Sequence, residues 1–135
     1  MTGTNHAIAR AFFAALSSGA LPDDLLTDDM TAWTTSSGVQ SDKTRYQGGV
    51  KLLATVFDGL PTYTVNSITA EDDRVAAEVE MQGTLVNGEA YHNRYIFLLR
   101  IRDGRIASVA EHFNPLPVRE KLGPLLQAAM AKMAS

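Results

Sequence analysis

No cysteine occurs in the 135 residues, which removes disulfides, a thiolate nucleophile and any zinc site built on sulfur. That absence fits a cytoplasmic location. A basic excess is missing too. The net charge of −3 gives no electrostatic footprint for nucleic acid and no polybasic patch for a membrane. No stretch approaches the ~18 consecutive apolar residues of a bilayer span. A phosphate loop is excluded, since Gly48-Gly49 lacks a preceding strand and a following Lys-Ser/Thr. No serine has a recognisable paired base, so nucleophilic hydrolysis is not expected. His92 and His112 lack the companions of a metal site and read as surface or dimer-face residues.

What is present is an ordinary globular composition, 45% hydrophobic and 20% charged. Its length suits one domain over 1–135 with a core that needs no covalent staples. The start, MTGTNHAIARAFFAALSSG, has no charged n-region, and Arg10 interrupts its apolar run, so a structural helix is expected there in place of a signal peptide. Ile8, Phe12 and Leu16 recur every four residues, predicting a first helix capped by Thr4 or Asn5 and ended by Ser17-Ser18-Gly19. Pro22 with Asp23 and Asp24 starts a short second helix. A brief strand at 30–35 and a polar loop, SSGVQSD, of the kind that borders a site, come next. Asp42 caps a third helix whose stripe is Leu53, Val56, Phe57 and Leu60, ended by Gly59 and Pro61. Gly48 and Gly49 near its front weaken it and let something approach closely.

From Thr62 the hydrophobic period changes from about 3.6 to 2. Strands are predicted at 62–70, 74–86, 90–102 and 105–113, joined by Asp72-Asp73, Asn87-Gly88 and Asp103-Gly104, of which Asn-Gly and Asp-Gly are strong hairpin signals. A short helix after Pro117, a break at Gly123-Pro124 and a final Ala/Met/Leu-rich helix follow. Helices first and then a meander means α+β, with helices on one face of a curved sheet.

Glu111 is the functional lead, because an acid where a packed sheet ends is costly unless paired or used. Two registers are open for its hairpin. A two-residue turn pairs Arg102 with Arg105 and sets Glu111 opposite Ile96. A three-residue turn pairs Ile101 with Arg105 and sets Glu111 opposite Tyr95. The second is preferred because it gathers Tyr95, Phe97, Leu99, Ala107, Val109, Glu111 and Phe113 on one face, leaving His112 outward opposite Arg94. In 74–86, Glu78, Glu80, Gln82 and Thr84 alternate with Val75, Ala77, Val79 and Met81. One reading leaves the polar row in water; the other turns Glu80 and Gln82 toward a cavity. Trp33 and Phe57 are favoured as cavity walls, with Tyr46, Tyr63 and Phe97 as further candidates; aromatics in such positions also serve simply as core. Glu111 itself also has a structural reading, as an acid bonded to a neighbouring Tyr or Arg.

The run GEAYHNRYIFLLRIRDGRIASVAEHFNPLPVREKLG resembles the C-terminal half of the SnoaL-like and ketosteroid-isomerase-like proteins of the nuclear transport factor 2-like superfamily. The matching features are Tyr91, Asn93 and Tyr95; Asp103 to Ile106; Glu111 to Pro115; and Leu122-Gly123. The Asn-Pro form with its Leu-Gly resembles the phenazine-biosynthesis A/B proteins in particular. The resemblance implies a cone-shaped, cystatin-like α+β barrel, a mainly antiparallel (mixed) sheet and three N-terminal helices around an apolar pocket. It also implies a homodimer through the convex sheet face. Glu111 matches a proton donor or shuttle, and Glu80 stands where limonene-epoxide-hydrolase-like relatives carry a catalytic Asp. Their preceding Arg is Glu78 here, which argues against epoxide hydrolysis. His112 and Asn114 also depart from the pattern, and neither His6 nor His92 matches the phenazine-type catalytic His.

The expectation is a cofactor-independent enzyme moving a proton on a hydrophobic carbonyl or enol, as an isomerase, cyclase or dehydratase. Glu111, Tyr95 and Glu80 are its candidate catalytic residues. Trp33, Tyr46, Phe57, Gln82, Tyr91, Asn93, Phe97 and Phe113 are the candidate substrate contacts. The alternative is a non-catalytic binder of a small hydrophobic ligand.

Overall fold

The structure is a computed structural model that describes residues 2–134. Helix α1 (Thr2–Ser18) leads through a 3-10 turn at Asp23–Leu25 into β1 (Leu26–Thr34) and the short β2 (Gln40–Asp42). Helix α2 (Lys43–Thr55) precedes the meander β3 (Thr62–Glu71), β4 (Arg74–Thr84), β5 (Ala90–Arg102) and β6 (Arg105–Phe113). A helical turn α3 (Pro115–Pro117), a π segment (Val118–Leu122) and α4 (Gly123–Ala134) end the chain. No described helix is long and apolar enough to cross a membrane.

The six strands form one curved mixed sheet in the order β2-β1-β6-β5-β4-β3. Both end strands lack a second neighbour, so the sheet is open where a barrel was expected. The meander is antiparallel as its alternation predicted, whereas β1 lies parallel to β6 and β2 was not foreseen. Of the three expected N-terminal helices, the second is a single 3-10 turn.

Alternation sets the concave face: Val75, Ala77, Val79 and Met81 of β4 and Tyr91, Asn93, Tyr95, Phe97, Leu99 and Ile101 of β5 are all buried. Helix α1 covers it with Ala9, Phe12, Phe13 and Leu16. There the Phe13 ring meets Phe97 edge to face at 5.0 Å. Asn5 is inside the helix rather than its cap, as is Thr4. The Asn5 Nδ2 donates to the Asp72 carbonyl at 2.8 Å, tying α1 to the β3–β4 turn. Asp42 does cap α2, accepting from the Arg45 N–H. The helix stops at Thr55, so Leu60 lies outside the expected stripe and is exposed.

Neither proposed register holds along the whole β5–β6 hairpin. Asp103 and Gly104 both have positive φ, 55° and 75°, as a tight two-residue turn demands, and Arg102 pairs with Arg105. A bulge after Ile101 then shifts the register by one, setting Glu111 opposite Phe97 and His112 opposite Ile96. Tyr95 instead faces Phe113. The bulge restores the shared face of Tyr95, Phe97, Glu111 and Phe113 that a three-residue turn would also produce. The expected break at Gly123-Pro124 is also absent. Gly123 is helical, and its N–H reaches five residues back to Val118. Widening the helix by this π turn accommodates the N–H that Pro124 lacks and the room its ring requires.

Candidate functional site

The concave face and helices α1, α2 and α4 enclose a cavity of about 390 Å³, within the usual ~300–1,000 Å³ of ligand sites. Helix α2 presents Tyr46, Gly49, Val50 and Leu53, one face at helical spacing, flanked by Arg45 and Leu52. Leu16 of α1, Ala32 and Thr34 of β1 and Tyr63 of β3 complete its near walls. Tyr95, Glu111 and Phe113 line it from β5 and β6, and Val118, Leu122 and Leu126 close it from the C-terminal helical run. The loop SSGVQSD borders it as its composition suggested, through Ser36, Ser37, Val39, Gln40 and Ser41.

Glu111 is fixed by its backbone. Thr34 pairs with it across the parallel β1–β6 ladder, and its carbonyl accepts from the Thr35 N–H at 3.0 Å. The Thr35 hydroxyl adds a second bond to that carbonyl and accepts from the Phe113 N–H. The Glu111 Oε2 accepts from the Tyr46 hydroxyl at 2.5 Å. Its Oε1 has no hydrogen-bond partner among the described residues. Burial pushes the carboxyl up to about 7, opposed by the Tyr46 hydrogen bond, which favours the charged form. Tyr46 and Tyr63 are both driven well above the ordinary phenol range, chiefly by burial and then by the nearby Glu111 charge. Both therefore remain O–H donors at neutral pH. No hydrogen bond from the Tyr63 hydroxyl is present among the described residues.

Beneath the cavity lies a polar chain. Asn93 donates to the Asn114 carbonyl at 3.0 Å and to the Tyr91 hydroxyl at 3.3 Å. The Tyr91 and Tyr95 hydroxyls are 2.8 Å apart, and Tyr95 donates to the Met81 sulfur at 3.6 Å. Tyr95 thus lines the cavity while its hydroxyl is engaged below it.

Of the sequence candidates, Glu111, Tyr46, Tyr63, Tyr95 and Phe113 come together around the cavity. Tyr91, Asn93 and Phe97 belong to the packed core beneath. Phe57 is also core: it meets the Tyr91 ring edge-on at 6.0 Å and packs over Gly83. Three candidates point the other way. Trp33 packs against His112 on the convex side, the ring centroids 4.9 Å apart and the planes tilted by 41°, since its ladder partner Ala110 sits between the inward residues Val109 and Glu111. Gln82 is exposed opposite His92. Glu80 alternates with buried Val79 and Met81, so it is directed outward. There it accepts from Asn66 at 2.9 Å, contacts His92 Nε2 at 2.8 Å and lies 3.7 Å from the Arg94 Nε. The Asn66 bond, with His92, holds its carboxyl below the usual range. Outside the candidate list, Arg45, the serines of the 36–41 loop and the C-terminal leucines also reach the cavity. Only the loop's composition signalled any of these.

The curved mixed sheet with helices over its concave face is the fold of the solved nuclear transport factor 2-like and ketosteroid-isomerase-like structures that it resembles. The chain belongs to the SnoaL-like domain family, whose profile matches residues 9–109. AclR of Streptomyces galilaeus, a provisionally assigned hydroxylase, superposes with a TM-score of 0.78 at 19% identity, covering 91% of this chain and 87% of that one. IdmH of Streptomyces antibioticus, a provisionally assigned polyketide cyclase, gives 0.76 at 20%, covering 88% and 98%. These likenesses show the fold. The uncharacterized protein YesE of Bacillus subtilis (strain 168) is 33% identical over 67 residues, 47% of this chain. The match spans about half of that relative, 46% of its length.

Proposed function

We propose that this SnoaL-like protein is a cofactor-independent enzyme that moves a proton on a small hydrophobic carbonyl or enol compound, giving isomerisation, cyclisation or dehydration. The observation that carries this reading is the Glu111 carboxyl, the one acid among the described lining residues, poised at about 7 with Oε1 unpartnered. Family membership and the polyketide-cyclase assignment of one structural neighbour agree with it.

In the proposed step the Glu111 carboxylate takes a proton from carbon next to the substrate carbonyl, and the C–H electron pair becomes an enolate. Glu111 returns the proton elsewhere on the same molecule, so no co-reactant is consumed. Tyr46 keeps a fraction of the carboxylate ionised. Tyr63 supplies the hydroxyl for the enolate oxygen, in preference to the engaged Tyr95. A basic carboxylate predicts a rate that rises as pH passes about 7.

The test is deuterium exchange at the α-carbons of 2-tetralone in D2O, followed by NMR. Catalysed exchange is expected, abolished in Glu111→Gln and strongly slowed in Tyr63→Phe. Wild-type exchange no faster than buffer, with the ketone still bound, would instead favour a binding protein.

The convex face is the proposed contact for a second copy. Ile96 and Leu98 are exposed there at 42% and 46%. Glu78 and Glu80 on β4 and Arg94 and Arg100 on β5 add charges of both signs to that face.

A further inference from the structure

Arg45 is the one Lys or Arg among the described residues that line the cavity. It sits in the first turn of α2, where a cation opposes the helix dipole. The neighbouring first-turn cation, Lys43, is neutralised by Asp23 at 3.7 Å and Asp28 at 3.6 Å. Among the described residues no carboxylate pairs with the Arg45 guanidinium and no side-chain hydrogen bond holds it. Arg45 is exposed at the mouth of the cavity, so its guanidinium is accessible to an incoming anion. One turn further, Gly49 also lines the cavity, and a Cβ built on it would meet nothing within 4 Å. A notch in the wall thus lies beside the cation. Ser36 and Ser37, between β1 and β2, and Gln40, at the start of β2, are also exposed and add hydrogen-bonding groups to the cavity lining.

We infer that the cavity takes a flat, largely apolar keto acid, its ring system against the leucines and its carboxylate at the rim on Arg45. A planar guanidinium suits a carboxylate, to which it offers two parallel N–H bonds. This substrate class deepens the proton-transfer reading and rests on it, but it is tested by binding alone.

The probes are 9-fluorenone-2-carboxylate and its neutral methyl ester, titrated by calorimetry at neutral pH. Wild type is expected to bind the acid about tenfold more tightly than the ester, a preference that weakens with added salt. Arg45→Gln should abolish the preference while leaving ester affinity unchanged, and Arg45→Lys should retain part of it. Glu111→Gln should keep it, so failure of the exchange experiment and failure of this one are separable. Equal affinity for acid and ester, an unchanged preference in Arg45→Gln, or no binding of either probe overturns the inference.

Discussion

Glu111 has consequences for stability as well as chemistry. Below about 4.5 its carboxyl carries a proton whether the chain is folded or not. Between there and about 7 the unfolded chain has lost a proton that the folded protein keeps, so stability falls as pH rises through this window. The full effect is about 3 kcal/mol, reached above the folded value. Gln at this position still accepts from Tyr46 but carries no charge. Glu111→Gln should therefore melt several degrees above wild type at pH 8, with the gap closing toward pH 5. Thermal melts across that range check this, and a gap independent of pH would refute a desolvated carboxyl. Tyr46→Phe removes the bond that favours the charged form, so the midpoint of Glu111 titration should move upward, measurable by carboxyl NMR. Glu111 and Phe113 were legible because period 2 places them with Tyr95 on one face. Glu80 and Gln82 face outward, as the reading that leaves the polar row in water expects, whereas Trp33 was expected as a cavity wall and its pairing with Ala110, which no local pattern encodes, turns it to the convex side.

At the level of elements, strand existence and turn chemistry were readable while pairing details were not. Asp103-Gly104 announced a tight turn, but nothing local encodes the bulge that follows, because a bulge is decided by which faces must meet the core. The parallel β1–β6 pairing joins segments some eighty positions apart and likewise leaves no local trace. Gly123-Pro124 looked like a helix break because the rule for proline assumes an α-helical ladder, and the π turn changes that ladder. Gly83 in β4 illustrates a requirement invisible in sequence. A Cβ there would lie 2.8 Å from the Phe57 ring, so Gly83→Ala should cost about 1–3 kcal/mol by denaturant unfolding. An unchanged midpoint would mean that Phe57 has room to retreat.

For the whole molecule, the proposed self-association and the cavity lie on opposite faces of one sheet and should be separable. Ile96→Glu with Leu98→Lys should convert a dimer to a monomer in light-scattering measurements while the affinity for fluorenone carboxylate stays within about twofold. A wild type that elutes as a monomer would remove the convex face as a contact. The sequence could suggest such a face only by resemblance, since single exposed apolar residues are ordinary on any surface.

The parallel β1–β6 ladder also sets an order of events. Glu111 acquires its setting only when a segment from the first quarter of the chain lies beside one from the last, with α2 docked above them. Such distant pairing closes late, because the entropy of the intervening loop must be overcome before the contact is gained. In refolding from denaturant, the meander's secondary structure should therefore return before the Glu111 proton affinity does. Proton uptake followed with a pH indicator near neutrality would then serve as a clock for completion of the fold.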